Sequence, residues 1–266
     1  MLMKRTYHLW ILALMITVGS AVYQRMTGPT YPKHYVTLLD GKAIELLLDR
    51  AHGGITDHVV TVKTNNANIT GRLEWKRYNT NDSLTSIPMT LNGDALTASL
   101  PAQPPAGKLH YTVHITDGKK TYSASTVIRF RGEVPAAVLI FHIAAMFFGM
   151  LLSARTGLEM FAKEPNYKKM VYATFAVLTL GGMILGPLVL NYAFNEWWTG
   201  FPFGTDITDN KTLIAFLAWL GAVIAVQKSA NPKKWILAAA LITLLVFLIP
   251  HSLWGTELDY NTMKTN

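Results

Sequence analysis

The sequence predicts a membrane protein of mixed α and β class. It has an N-terminal membrane anchor, an exported β-rich domain and a four-helix transmembrane bundle, five transmembrane helices in all. Three observations predict this. Half of the 266 residues are hydrophobic and only 15% are charged, whereas a soluble domain is about a quarter charged. Five apolar runs punctuate the chain. Between the first and second runs lies a long polar stretch that alternates as half-buried strands do.

The first run, 7–23, comes after Lys4 and Arg5. It reads as an uncleaved anchor over 1–24, or as a signal peptide with Gly19-Ser20-Ala21 as its small-residue cleavage site. Either reading exports the long polar stretch. The bundle, 134–254, comprises the runs 135–154, 170–194, 212–226 and 235–253. The run 170–194 is long enough to span with tilt. The run 212–226 is near the lower limit of about 17 residues, so Lys211 and Lys228 are expected to snorkel. Gly182 with Gly186, and Ala218 with Ala222, are small-xxx-small steps that let helices approach closely. Pro187 is expected to kink its helix.

Charge sets the orientation. Lys4, Arg5, Arg155, Lys163, Lys168, Lys169, Lys228, Lys233 and Lys234 fall on one side if five spans alternate, against Lys211 and Lys264 in the short loop and tail on the other. The positive side is cytoplasmic. The β-domain (25–133), the Trp197 loop and the tail (255–266) then face outward, which in a bacterial inner membrane is the periplasm. Trp197, Trp198, Trp235 and Trp254 mark the interfaces. The net charge of +8 is therefore largely a topology signal, and no groove-reading motif supports nucleic-acid binding. With no cysteine, disulfides, thiolate metal sites and cysteine-attached haem are excluded.

In the exported domain, strands are expected at 43–48, 58–63, 70–77, 85–90, 95–100, 108–116 and 120–130. Turns fall at Gly53-Gly54, Asn65-Asn66, Asn79–Ser83, Asn92-Gly93-Asp94 and Asp117-Gly118. Asp117-Gly118 carries the strongest hairpin signal. About seven short strands at this spacing indicate an antiparallel β-sandwich. Two stretches, Leu73-Glu74-Trp75-Lys76-Arg77-Tyr78 and Pro104-Pro105-Ala106-Gly107 leading into Leu109-His110-Tyr111-Thr112-Val113, give this region a likeness. It resembles immunoglobulin-like or fibronectin type III modules, without the antibody cysteine pair. The resemblance implies binding or spacing rather than chemistry. His110 and His114 share a strand face but lie about 13 Å apart, so they read as solvent-facing. Arg129 and Arg131, just before the join at Val134-Pro135, read as solvated edge charges or as contacts to lipid phosphates.

Ionisable groups inside a membrane are functional candidates by default. His142 lies about two turns into the second span and His251 ends the fifth. Asn191, Tyr192, Asp206, Asp209, Glu257 and Asp259 are expected at a similar depth on the outer side. Three readings are open. The groups are structural, with Asp206 or Thr208 capping a helix. Or His142, His251, Asp206, Asp209 and Glu257 hold a divalent metal. Or His142 and His251 hold a b-type haem, making the bundle a redox carrier. The aromatic loop with Trp197, Trp198, Phe201 and Phe203 either lies in the interface or roofs a ligand site. No phosphate loop, zinc-protease motif or nucleophile elbow is present. The expectation is a non-enzymatic membrane protein that binds or positions a protein partner, either alone or as a subunit of a membrane complex.

Overall fold

The computed structural model describes residues 2–265, with side chains from residue 7 onward; the side chains of Lys4 and Arg5 lie outside the described residues. The chain divides into two compact units, Met1–Pro29 with Val134–Gly255, and Thr30–Glu133 with Thr256–Asn266.

The first unit is helical. It comprises α1 (Leu2–Thr27), α2 (Ala136–Glu159), α3 (Lys168–Leu178), α4 (Gly186–Phe194), α5 (Ile207–Lys228) and α6 (Lys233–Leu248). A π-helical stretch, Thr179–Leu185, joins α3 to α4 without a break. Among the described residues, four helices are long and apolar enough to cross a membrane: Tyr7–Thr27, Ala136–Glu159, Lys168–Phe194 and Ile207–Lys228. Two lengths differ from expectation. The short run at 212–226 becomes a 22-residue helix, because the Asp206 side chain accepts the Thr208 N–H and starts α5 in a polar turn. The run at 235–253 gives only 16 residues of helix in α6. Ile249 turns extended there because Pro250 comes next.

The irregularity near Pro187 is the π stretch, just upstream of the proline. Its widened turn brings Gly181 and Gly182 against neighbouring helices. A Cβ on Gly182 would lie 2.5 Å from Thr212 Cγ2, and one on Gly181 would meet Met146 and Ala145. Trp219, fully buried, donates from Nε1 to Thr243 Oγ1 at 2.9 Å. It packs with Met160, Val171, Leu178, Ala222, Ile236 and Ala239. At the other end of α2, Arg155 and Glu159 form a buried pair at 2.7 Å.

The second unit holds ten strands in the segment 30–133 and two in the tail. They are β1 (Lys33–Leu39), β2 (Lys42–Leu48), β3 (Ala51–Gly53), β4 (His58–Lys63), β5 (Thr70–Arg77), β6 (Thr85–Pro88), β7 (Thr90–Asn92), β8 (Ala95–Leu100), β9 (Lys108–Thr116), β10 (Thr121–Arg131), β11 (Leu258–Asp259) and β12 (Lys264–Thr265). A five-stranded sheet runs β3-β10-β9-β5-β6, a three-stranded sheet β4-β8-β7, and β1-β2 and β11-β12 are separate pairs. All pairings are antiparallel except the short β3–β10 edge. Period-two burial is strict in β4 and β9, as a sheet with one wet face requires. One core unites these strands. Leu39, Ile44, Leu46 and Leu48 of the β1–β2 hairpin pack with Val60 and Val62 of β4 and with Leu73, Tyr111, Val113, Ile128 and Phe130 of the large sheet.

Candidate functional site

The polar groups near the helix ends go to separate tasks. His142, on α2, places Nδ1 3.0 Å from the Gly181 carbonyl of the π stretch. A carbonyl only accepts, so Nδ1 carries the proton and anchors the widened turn. His251 is exposed in the turn after α6. Asp206 caps α5. Asp209 accepts from the Thr199 N–H at 2.6 Å and from the Thr199 hydroxyl at 3.0 Å. Glu257 belongs to the other unit, where it pairs with Lys108 at 2.6 Å. Among the described residues no three His, Asp or Glu side chains converge as a metal-holding group. The loop Trp197-Trp198-Thr199-Gly200-Phe201-Pro202-Phe203 is built onto the first turn of α5 and leaves Trp197, Phe201 and Phe203 exposed.

Two polar side chains that periodicity does not single out end α6. Gln24 Nε2 donates to the Phe247 and Ile249 carbonyls at 2.8 and 3.2 Å, and Lys211 Nζ donates to Ile249 O at 2.9 Å. The last carbonyls of a helix have no partners within it, and in an apolar medium each unsatisfied one is costly. Lys211 is thus not a snorkelling charge: it is buried and satisfies α6.

In the β unit the tail folds back onto the sheet. Leu258 N–H donates to Ala106 O, Tyr260 hydroxyl reaches Gln103 Oε1 and Lys108 O at 3.0 Å each, and Arg77 lies over the Tyr260 ring at 5.0 Å. Burial pushes the Tyr260 phenol up to about 12, so it remains a neutral donor. Arg77 also holds Asp82 through two bonds, 2.6 and 3.0 Å, and keeps its carboxyl below the ordinary range. Beside this ordered loop opens a cleft of about 650 Å³ lined by residues 76–82, His110 and Asn261. Its size is that of a small-ligand site, but its wall is mostly polar: amides, a hydroxyl, the cations of Lys76 and Arg77, the Asp82 carboxylate and the rings of Tyr78 and His110.

Two histidine arrangements occur elsewhere on the unit. His114, expected to face solvent, is bonded to Ser123 Oγ at 2.7 Å and Glu74 Oε2 at 3.0 Å. That is the connectivity of a nucleophile, base and orienting acid. It sits on the open face of the sheet, where the amides of β9 and β10 are committed to the ladder and cannot serve a developing oxyanion. The geometry therefore reads as a cross-strand polar ladder.

His52 and His58 form the second arrangement. His52 Nε2 lies 2.9 Å from the Thr56 carbonyl and so must donate. His52 Nδ1 then accepts from His58 Nδ1 at 3.3 Å, and His58 Nε2 faces Asp49 Oδ2 at 3.7 Å. Burial is the main cause that lowers the His58 pKa; Asp49 opposes it and His52 adds to it. A base with a depressed folded pKa stabilises above its unfolded value of 6.5 and loses that stability as pH falls through the folded one. The denaturant midpoint of the β unit is expected to fall on acidification from neutrality toward about pH 5, and His58→Gln to flatten that slope. Asp117, held at about 2 by the N–H groups of Lys120, Asp40 and Lys119, acts in a lower window, below its ordinary 3.8. The two effects are separable by titration. An unchanged slope in the His58 variant refutes the assignment.

The chain matches no protein-family model, no curated protein and no solved structure.

Proposed function

We propose that this protein is a membrane-anchored binding module. In this reading five helices cross a bacterial inner membrane, and an immunoglobulin-like β-sandwich on the periplasmic side offers its polar cleft to a partner. The bundle anchors it, and no chemistry is assigned to the bundle.

The observation that carries the reading is the return of the tail. Residues 30–133 and 256–266 form one compact unit, held by the Lys108–Glu257 pair and the Tyr260 bonds. Segments that fold together lie on one side of a membrane, so an even number of crossings separates them. Three helices between them are long enough on their own. The fourth crossing falls to α6, whose end is capped by Gln24 and Lys211 and so tolerates an apolar surround. The lysine-rich connections then share the cytoplasmic side. The single core shared by the five-stranded sheet, the three-stranded sheet and the hairpin supports the sandwich. The cleft, made jointly by the β5–β6 connection and the tail, supports binding there.

The absence of cysteine makes the test direct. In spheroplasts, an impermeant maleimide is expected to label Ile55→Cys and Asn261→Cys but not Lys163→Cys. A photo-cross-linker at Asn81 in native membranes is expected to give a discrete adduct that the same group at Lys63 does not. Labelling of position 163, opposite sides for 55 and 261, or identical cross-linking at 81 and 63 would sink the reading.

A further inference from the structure

The connection between α4 and α5 is short, and its centre is uncharged between Glu196 and Asp206. From Trp197 to Thr205 it contains no charged residue. Trp197, Phe201 and Phe203 are 60, 69 and 83% exposed, although the loop beneath them is tightly built. Asn195 takes a left-handed conformation that ends α4. Thr199 N–H and hydroxyl bond to Asp209, and Phe201 N–H bonds to Asn210 Oδ1 at 2.7 Å. Phe203 and Gly204 N–H both donate to Gly200 O, and Asp206 N–H donates to Thr199 O. Trp198, half-buried, donates from its indole to Phe201 O at 3.0 Å. At Gly200 only glycine fits, because a Cβ would lie 2.8 Å from Asp209 Cβ and 2.9 Å from Asn210 Oδ1.

Two properties therefore coincide. Large apolar rings are held outward on a rigid platform, and the N–H groups of Thr199, Phe201, Phe203, Gly204 and Asp206 all have acceptors within the loop or the adjoining turn. Pro202 has none to satisfy. Such internal pairing suits a loop that enters a medium poor in hydrogen-bond partners, because each unsatisfied backbone group there is costly. The loop is continuous at both ends with helices that can cross a membrane, Lys168–Phe194 and Ile207–Lys228. It thus emerges at the depth where indole and phenyl rings partition best.

We propose that the 197–205 loop is a lipid-binding element that inserts Trp197, Phe201 and Phe203 into the boundary between headgroups and acyl chains. The occupant is the bilayer itself. The argument is the loop's continuity with two membrane-crossing helices and its lack of charge, and it does not depend on which side of the membrane the loop faces. The Asp209, Asn210 and Gly200 contacts hold the backbone from which the three rings project.

The test uses the full chain in vesicles of phosphatidylcholine and phosphatidylglycerol. A nitroxide is attached at Phe203→Cys, at Thr205→Cys, which leaves all three rings intact, and at Ile55→Cys, a 93% exposed site in the β unit. Power saturation compares collisions with oxygen, which concentrates in acyl chains, and with an aqueous nickel chelate. The expected oxygen-to-nickel ratio at 203 and 205 is several-fold above that at 55. A ratio at 203 and 205 equal to that at 55 places the loop in water and overturns the proposal. Protection from both reagents would mean a covering protein, another copy included, and overturns it equally. Should the 203 variant misfold, 205 alone decides.

Discussion

Glu159→Ala is expected to destabilise the helical unit by about 3–5 kcal/mol, the cost of leaving a buried charge without its partner. The Arg155 and Glu159 side chains are 4 and 11% exposed, and the bond between them is 2.7 Å long. Glu159 has a second duty, since its other oxygen accepts the Asn166 N–H at 3.0 Å in the loop after α2. Removing the carboxylate leaves the guanidinium with the Trp10 ring at 5.5 Å and an enclosed Nε with no hydrogen-bond partner. The double replacement Arg155→Leu/Glu159→Leu is expected to cost less than the single change, because two apolar groups need no compensation. Thermal unfolding in detergent of the single and double variants reads this. A single variant as stable as the parent, or a double variant worse than the single, would contradict the pair's assigned role.

Phe130→Ala is the second large effect, expected at about 3–5 kcal/mol. Phe130 is fully buried near the end of β10 and packs edge-on against His52 at 5.5 Å. Its backbone donates to Gly107 O and accepts from the Ala106 N–H on one side, and its neighbours Arg129 and Arg131 bond to Arg50 O and the Gly54 N–H on the other. The strand therefore cannot collapse toward the void, and the cavity persists. The loss is a large part of the 5–15 kcal/mol that holds a typical domain. Urea unfolding of the full chain, monitored by proteolysis of the β unit, measures it. Ile55→Ala, at an exposed position, serves as the control and is expected within about 0.5 kcal/mol of the parent. Equal midpoints for the two variants would show that Phe130 is not a core residue.

Much of the β unit was legible because burial writes a period of two into β4 and β9, and those strands begin and end where the alternation does. The first hairpin was legible only in its second strand, expected at 43–48 and found at Lys42–Leu48; β1 was not. Val36, Leu38 and Leu47 face outward at 56, 67 and 58% exposure, so apolar residues stand on both faces and the alternation is lost. The local signal was Asp40-Gly41, both at positive φ, 49° and 72°, forming a two-residue turn in register with Leu39 and Lys42. Among the site residues, Trp197, Phe201 and Phe203 could be singled out from their clustering alone. Lys211 and Glu257 could not be placed. Their partners lie 38 and 149 residues away, and hydropathy carries no record of pairing at such separation. The π stretch was hidden for a similar reason: Thr-Leu-Gly-Gly-Met-Ile-Leu lies inside one continuous apolar run, and the His142 contact to the Gly181 carbonyl comes from 39 residues upstream.

The stunted α6 carries a consequence for the lipid around it. Sixteen residues rise about 24 Å, against roughly 30 Å of hydrocarbon in an average bilayer. If α6 crosses as proposed, the leaflets must pinch toward it or the bundle must settle where acyl chains are short. Lengthening the acyl chains of the host vesicles should then strain the Gln24 and Lys211 caps before it disturbs any other helix, which makes acyl-chain length a graded handle on this end of the protein.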